Sequence, residues 1–209
     1  MKIDAVLFDM DGVLIDARDW HYQALNMALE PFGYTISPED HETRFNGLST
    51  KSKLKILSDE FGLPKDLDDL ISAIKQDRTL RIAAQKCFPI IPHQILLSRL
   101  KTCDVKIGVV TNSIRLTAEA MLRHAGVFDF LDVLVTNQDV KHHKPNPEGY
   151  LLAMEKLEVE PGNTVVIEDG DYGIQAAEAA GCNVIKVDGP ENVSIEILLD
   201  LIPQLLEDR

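Results

Sequence analysis

Five short apolar runs constrain this chain more than any other feature: Ala5 to Phe8, Val105 to Val110, Val133 to Val135, Thr164 to Ile167 and Val184 to Val187. Each is bounded by turn-forming or acidic residues and lacks polar alternation, as strands buried on both faces do. Between the later runs lie stretches of helical period: Ile114 to Ala125 closed by Gly126, Pro147 to Leu157, Gly173 to Ala180 closed by Gly181, and Ser194 to Leu206. Glycine just past a last helical turn is a C-cap signal. Strand alternating with helix predicts an α/β protein, a doubly wound parallel sheet with helices on both faces; a segregated α+β arrangement is the alternative.

The rhythm breaks after Phe8, because the next apolar run begins only at Val105. The intervening helix signals fall at His21 to Ala28, from Ser37-Pro38-Glu39 onward, at Lys51 to Phe61 and at Leu67 to Ala84. Serine before a proline at the first helical position is an N-terminal signature. The expectation is a four-helix insertion over residues 16–86 in a core of 1–15 and 87–209, with hinges at Leu14 to Ala17 and Cys87 to Pro92. An insertion leaving the first strand there would sit over the C-terminal strand ends, where open α/β sheets bind ligands, and so reads as a cap.

Charge narrows the partners. The chain has 34 acidic against 21 basic side chains and a net charge of −13, which disfavours nucleic acid and anionic membrane but welcomes a metal cation. Residues 16–86 hold 10 basic and 12 acidic residues, so the acid excess belongs to the core. Cys87, Cys103 and Cys182 form no C-x-x-C pair, which supports neither a disulfide framework nor a thiolate zinc site and predicts a cytoplasmic home. The start, MKIDAVLFDMD, is too short in apolar residues for a signal peptide, and no run of 18 apolar residues occurs.

Chemistry gathers where the runs end. Asp9 and Asp11 follow the first strand in Phe8-Asp9-Met10-Asp11-Gly12. Two carboxylates this close repel, so one is pushed toward protonation or a cation is recruited, which suits a nucleophile beside an acid/base. A solvated Asp-Gly turn is the plain alternative. Thr111-Asn112-Ser113 ends the second strand and opens a helix whose N–H groups favour an anion, although Thr111 could serve only as an N-cap. Lys144-Pro145 follows the third strand, and Glu168-Asp169 ends the fourth before Gly170 and Gly173. Oxygen ligands without adjoining histidine or cysteine suit Mg²⁺.

This order of motifs resembles the haloacid dehalogenase-like phosphotransferases over essentially the whole chain: D-x-D-G at Asp9 and Asp11, a strand-terminal hydroxyl at Thr111, a lysine at Lys144 and an acidic pair at Glu168 and Asp169. The surrounding stretches look closest to the branch with a small helical cap, which includes beta-phosphoglucomutases and small-molecule phosphatases. The resemblance implies that Asp9 attacks phosphorus to give an aspartyl phosphate and that Asp11 protonates the leaving oxygen, then deprotonates water. It implies Mg²⁺ on Asp9, the Asp11 carbonyl and Asp169, with Glu168 direct or through water. Thr111, the Asn112 backbone and Lys144 are implied to steady the transferring group.

Other positions bear on substrate. His21 and Gly47-Leu48-Ser49 resemble the mutase's cap histidine and specificity loop, but Thr50 stands where the mutase has an arginine for the second phosphate, and Ala17 replaces a hinge hydroxyl. Lys51, Lys75 and Arg115 are candidate substitutes for that charge, or solvated surface residues. His142 and His143 precede Lys144 without a third zinc ligand, and Trp20 could meet substrate or pack in the core. The expected function is Mg²⁺-dependent hydrolysis of a small phosphorylated metabolite, of the sugar phosphate or phosphoglycolate type, by a monomer or weak homodimer. A phosphomutase and a phospho-accepting receiver-like module are the alternatives.

Overall fold

The computed structural model describes residues 2–45 and 48–206. The chain forms two compact units, Met1–Asp16 with Cys87–Arg209, and Ala17–Lys86.

In the first unit, β1 (Ala5–Phe8), β2 (Lys106–Val110), β3 (Val133–Val135), β4 (Thr164–Glu168) and β5 (Asn183–Lys186) make a parallel sheet in the order β3-β2-β1-β4-β5. β1 lies at the centre because both of its neighbours pair with the same four residues: Phe8 is level with Val109 on one side and Ile167 on the other. Every residue of β1 and β4 is buried. Ala5, Leu7, Val110 and Val166 pack in one layer with Tyr150, Ala153 and Met154 of the helix Glu148–Leu157 and Ala176 and Ala177 of the helix Asp171–Ala179. The alternate residues Val6, Phe8, Ile107 and Val109 are equally buried, so the second face is covered too, with the helix Ile91–Thr102 against β2. Each such apolar side chain contributes about 1.5–3 kcal/mol on leaving water.

Three local readings are corrected. Ser194 to Leu206 does not form a continuous helix: Ile195–Leu198 and Pro203–Leu206 are separate short 3₁₀ turns, since Pro203 cannot donate the bond that would extend the first. β5 is only half-buried, because it is an edge strand with a partner on one side. The helix Ile91–Thr102, beginning inside the expected hinge at Cys87 to Pro92 with Pro92 in its first turn, is an additional element.

The second unit is helical among its described residues. We label its helices α1 (Arg18–Leu29), α2 (Pro38–Asp40), α3 (Thr50–Phe61) and α4 (Asp68–Lys86); a π-helical turn, His41–Phe45, follows α2 directly. The first unit continues the numbering with α5 (Ile91–Thr102), α6 (Arg115–His124), α7 (Glu148–Leu157) and α8 (Asp171–Ala179). Ser37 caps α2 through the Asp40 amide, and Ser49 caps α3 through the Ser52 amide. The Asn26 side chain accepts from the Ile36 amide at 2.8 Å and donates to its carbonyl at 3.0 Å, pinning the loop after α1. Leu25, Leu29, Ile36, Phe45, Leu54, Leu57 and Ile71 form this unit's core. No described helix is long and apolar enough to cross a membrane.

Candidate active site

The sheet ladder extends one residue past the strands and thereby sets the site. The Asp9 amide donates to Ile167 O at 3.0 Å, and the Thr111 amide to Val135 O at 3.0 Å, so both side chains leave from fixed backbone. Beyond Asp9 the chain turns at once: Leu14 and Ile15 amides both donate to Met10 O, and Gly12 holds φ at +90°. A Cβ at Gly12 would stand 2.1 Å from Asp169 Oδ2. Glycine is required there twice, by dihedral angle and by the approach of the acidic pair.

Lys144 joins the strand ends. Its buried ammonium donates to Asp9 Oδ1 and Glu168 Oε1, each at 2.6 Å. The Tyr150 hydroxyl, fully buried on α7, donates to that same Glu168 oxygen at 2.9 Å, and the Tyr150 ring lies 4.9 Å from the ammonium. Glu168 Oε2 accepts from the amides of Asp169 and Gly170 at 3.1 and 3.2 Å. A Cβ at Gly173 would come 1.6 Å from Glu168 Oε1, so α8 can begin this close only with glycine in its first turn. Glu168 thus has four donors around it, the usual capacity of a carboxylate.

Burial costs the Lys144 ammonium hydration, yet Asp9 and Glu168 hold its pKa well above the ordinary lysine value, so it is a fixed cation. Burial also lifts the Asp9 carboxyl, with Glu168 and Asp11 adding to the rise against the pull of Lys144. Burial keeps the Tyr150 hydroxyl protonated and able to donate. Asp9, Glu168 and Asp169 each bring a carboxylate oxygen within 4.8 Å of the others. An all-oxygen set of this charge fits a hard divalent cation. The Asp11 carboxylate is held separately, accepting from Ser113 Oγ at 3.1 Å.

Thr111 is buried, and its hydroxyl accepts from the Ser113 amide at 3.0 Å; α6 starts only at Arg115, so Thr111 closes a short turn and is not that helix's N-cap. Asn112 Oδ1 accepts from the Lys144 amide at 3.3 Å, tying the second motif to the third. Arg115 is drawn elsewhere: its guanidinium donates to Asp139 at 2.7 Å and to Glu119 and the Leu134 carbonyl at 3.3 Å. Those partners hold it in the packing between α6 and the loop after β3. His142 binds Glu148 at 2.9 Å and His143 the Asn137 carbonyl at 3.1 Å, neither within the acidic set.

In the helical unit, Lys75 Nζ lies 3.2 Å from His21 Nδ1, bringing together two residues that the sequence offered separately. Ser49 is spent on its capping bond, Lys51 is exposed in the first turn of α3, Trp20 is buried and Gly47 lies outside the described residues. Sequence pattern does not single out Tyr150 or Ser113. An apolar-patterned helix such as α7 gives no sign that one of its aromatics carries the hydroxyl that meets Glu168.

Comparison with known proteins shows the family. The profile of the haloacid dehalogenase-like hydrolases matches residues 6–187. A phosphorylated carbohydrates phosphatase of Thermotoga maritima is 30% identical over 86% of this chain and 82% of its own length. A fructose-1-phosphate phosphatase of Escherichia coli is 32% identical over 87% of this chain and 95% of its own. A beta-phosphoglucomutase of Clostridium difficile superposes with a TM-score of 0.82 at 25% identity, covering 95% of this chain and 96% of the other. The parallel sheet, the four strand-end motifs and these likenesses together place the chain in the haloacid dehalogenase-like hydrolase family, as an enzyme.

Proposed function

We propose that the chain hydrolyses the phosphate monoester of a small metabolite, of the sugar phosphate or phosphoglycolate type, through an aspartyl phosphate. The observation that carries this reading is the Lys144 ammonium shared by Asp9 and Glu168, with Asp169 beside them at the ends of adjacent strands. In the first step an Asp9 oxygen attacks phosphorus, and the bond from phosphorus to the alcohol oxygen breaks. Asp11, oriented by Ser113, gives its proton to that oxygen. In the second step a water attacks the phosphoryl group, Asp11 takes the water's proton, and the Asp9–phosphorus bond breaks to release phosphate. Lys144, the Thr111 hydroxyl and the Asn112 amide counter the charge on the remaining oxygens.

Asp9, Asp169 and the Asp11 carbonyl would hold a divalent cation of the Mg²⁺ type, which when bound offsets the repulsion between the Asp9 carboxylate and the phosphate. Because four donors already surround Glu168, its part is to hold Lys144 and the start of α8. The helical unit is read as the cap that selects the substrate, and the three free cysteines suit the reducing cytoplasm.

The test is phosphate release from a panel of sugar phosphates and phosphoglycolate with and without Mg²⁺. Release that requires the ion is expected, and no turnover of any ester would sink the reading. The structural likeness to a beta-phosphoglucomutase supports a second reading, in which a bisphosphate activator is needed and an isomer forms in place of free phosphate. Thr50, which brings no charge, favours hydrolysis.

A further inference from the structure

A buried aromatic ring needs no hydroxyl in order to pack, and burying a hydroxyl costs free energy unless it is bonded. Tyr150 is fully buried on α7, in one layer with Val110, Val135, Ala153 and Met154. A phenylalanine ring would fill that layer as well. The hydroxyl instead reaches the end of β4 and donates to Glu168 Oε1 at 2.9 Å, the oxygen that already accepts from the Lys144 ammonium at 2.6 Å. Lys144 is shared with Asp9 Oδ1, also at 2.6 Å, so it satisfies both carboxylates without help. The second donor on Glu168 Oε1 therefore calls for an explanation beyond packing and charge balance.

Two donors on Oε1 and two amides on Oε2 grip the Glu168 carboxylate from both ends. Gly173 closes another side, since a Cβ there would stand 1.6 Å from Oε1. Yet Glu168 brings an oxygen within 4.8 Å of oxygens of Asp9 and Asp169, near enough for the three to surround one ion. How many of those carboxylates meet the ion decides which ion fits. Mg²⁺ is small, keeps several waters and is held by one or two carboxylates, whereas Ca²⁺ takes about six to eight oxygens in a flexible arrangement. A third carboxylate turned toward the ion would favour Ca²⁺.

We propose that Tyr150 is a positioning residue that sets the choice of cation: its hydroxyl, together with Lys144, keeps Glu168 away from the ion, so that Asp9 and Asp169 are the carboxylates that bind it and Mg²⁺ is favoured over Ca²⁺. This rests on the reading of the acidic set as a cation site. The direction of the effect sets it apart from ordinary support. A group that only steadies a ligand weakens metal binding when it is removed. Removing this hydroxyl releases a carboxylate toward the ion and strengthens the binding of Ca²⁺.

The experiment measures cation binding to the full chain with no ester present. Mn²⁺ is titrated in and its unbound fraction read by electron paramagnetic resonance, after which Mg²⁺ and Ca²⁺ are competed against it. Wild type is compared with Tyr150→Phe, whose fold is checked by circular dichroism. The expected result is a Ca²⁺ affinity that rises roughly 10-fold relative to Mg²⁺ in the variant, the low end for one hydrogen bond to a charged group. An equal ratio in the two proteins, or a variant that binds both cations more weakly to the same degree, overturns the proposal and leaves the cation site standing. Absence of saturable Mn²⁺ binding in wild type removes the site itself, and the proposal with it. If Tyr150→Phe does not fold, wild type decides: tighter binding of Ca²⁺ than of Mg²⁺ would mean that Glu168 already serves the ion, and the proposal fails.

Discussion

Two sets of charges, one in each unit, show opposite ways of holding charge. In the helical unit the ion pairs Arg44–Glu60, Lys55–Asp59 and Arg81–Asp77 lie on the surface, where water screens them and each is worth little. In the sheet unit Lys144, Asp9 and Glu168 are buried together, each removed from water and dependent on the others. Burying such a group seldom adds net stability, whereas removing one member leaves an uncompensated charge. The contrast separates charge that keeps a surface hydrated from charge that the proposed reaction needs dry. Variants in the two units should therefore differ in kind as well as in size.

The largest expected effect is that of Asp9→Asn. It keeps the shape and removes the proposed nucleophile, so phosphate release should fall by about three orders of magnitude or more while circular dichroism stays that of the native fold. Near-normal turnover would detach the buried group from the chemistry. Next comes Gly173→Ala, whose new methyl group would fall on Glu168 Oε1. α8 must retreat, at the upper end of about 1–3 kcal/mol for overpacking, measured by denaturant unfolding. Gly170, where an added Cβ meets nothing within 4 Å, is its control, and Gly170→Ser should unfold like wild type. Tyr150→Phe should cost about 1.5 kcal/mol, the low end for a bond to a charged group, because Lys144 still holds the same oxygen.

A pH experiment sharpens the comparison. Burial works against the Asp139 carboxylate, but the Thr136 hydroxyl and amide and the Arg115 guanidinium together hold its pKa below the ordinary 3.8. A group depressed in the folded state stabilises fully above its unfolded value and loses that contribution as pH falls through the folded one. Asp139→Asn should accordingly be less stable than wild type at neutral pH, with the gap closing below about pH 4. The smallest effect belongs to the helical unit: Arg81→Ala should unfold within error of wild type. If it cost as much as Tyr150→Phe, the distinction between the units would fail.

Much of this was legible in the sequence, for identifiable reasons. Strands buried on both faces announce themselves as unbroken apolar runs, and the four motifs sit at strand ends because that is where a polar side chain can leave a buried sheet. α5 was hidden because Ile91 and Ile95 are exposed: an apolar outer face erases the contrast with Leu96, Leu97 and Leu100 inside. Ser194 to Leu206 has helical spacing, but Leu198, Ile202 and Leu205 are buried from short turns, which spacing alone cannot separate from a helix. Arg115 follows the second motif closely in sequence, but Asp139 and Glu119 give it other partners.

The central strand has a further consequence. Because Phe8 is level with Val109 and Ile167, Asp9 is level with Val110 and Glu168, and its distance from the neighbouring motifs is counted in residues along two ladders. Such a mechanism adjusts only in whole steps, each about 3.3 Å and each turning the side chain to the opposite face. A fault in strand pairing therefore cannot leave this site slightly misaligned: it would disassemble the site altogether. Gradual tuning of the chemistry falls to the loops that follow the strands, where positions shift by fractions of an ångström.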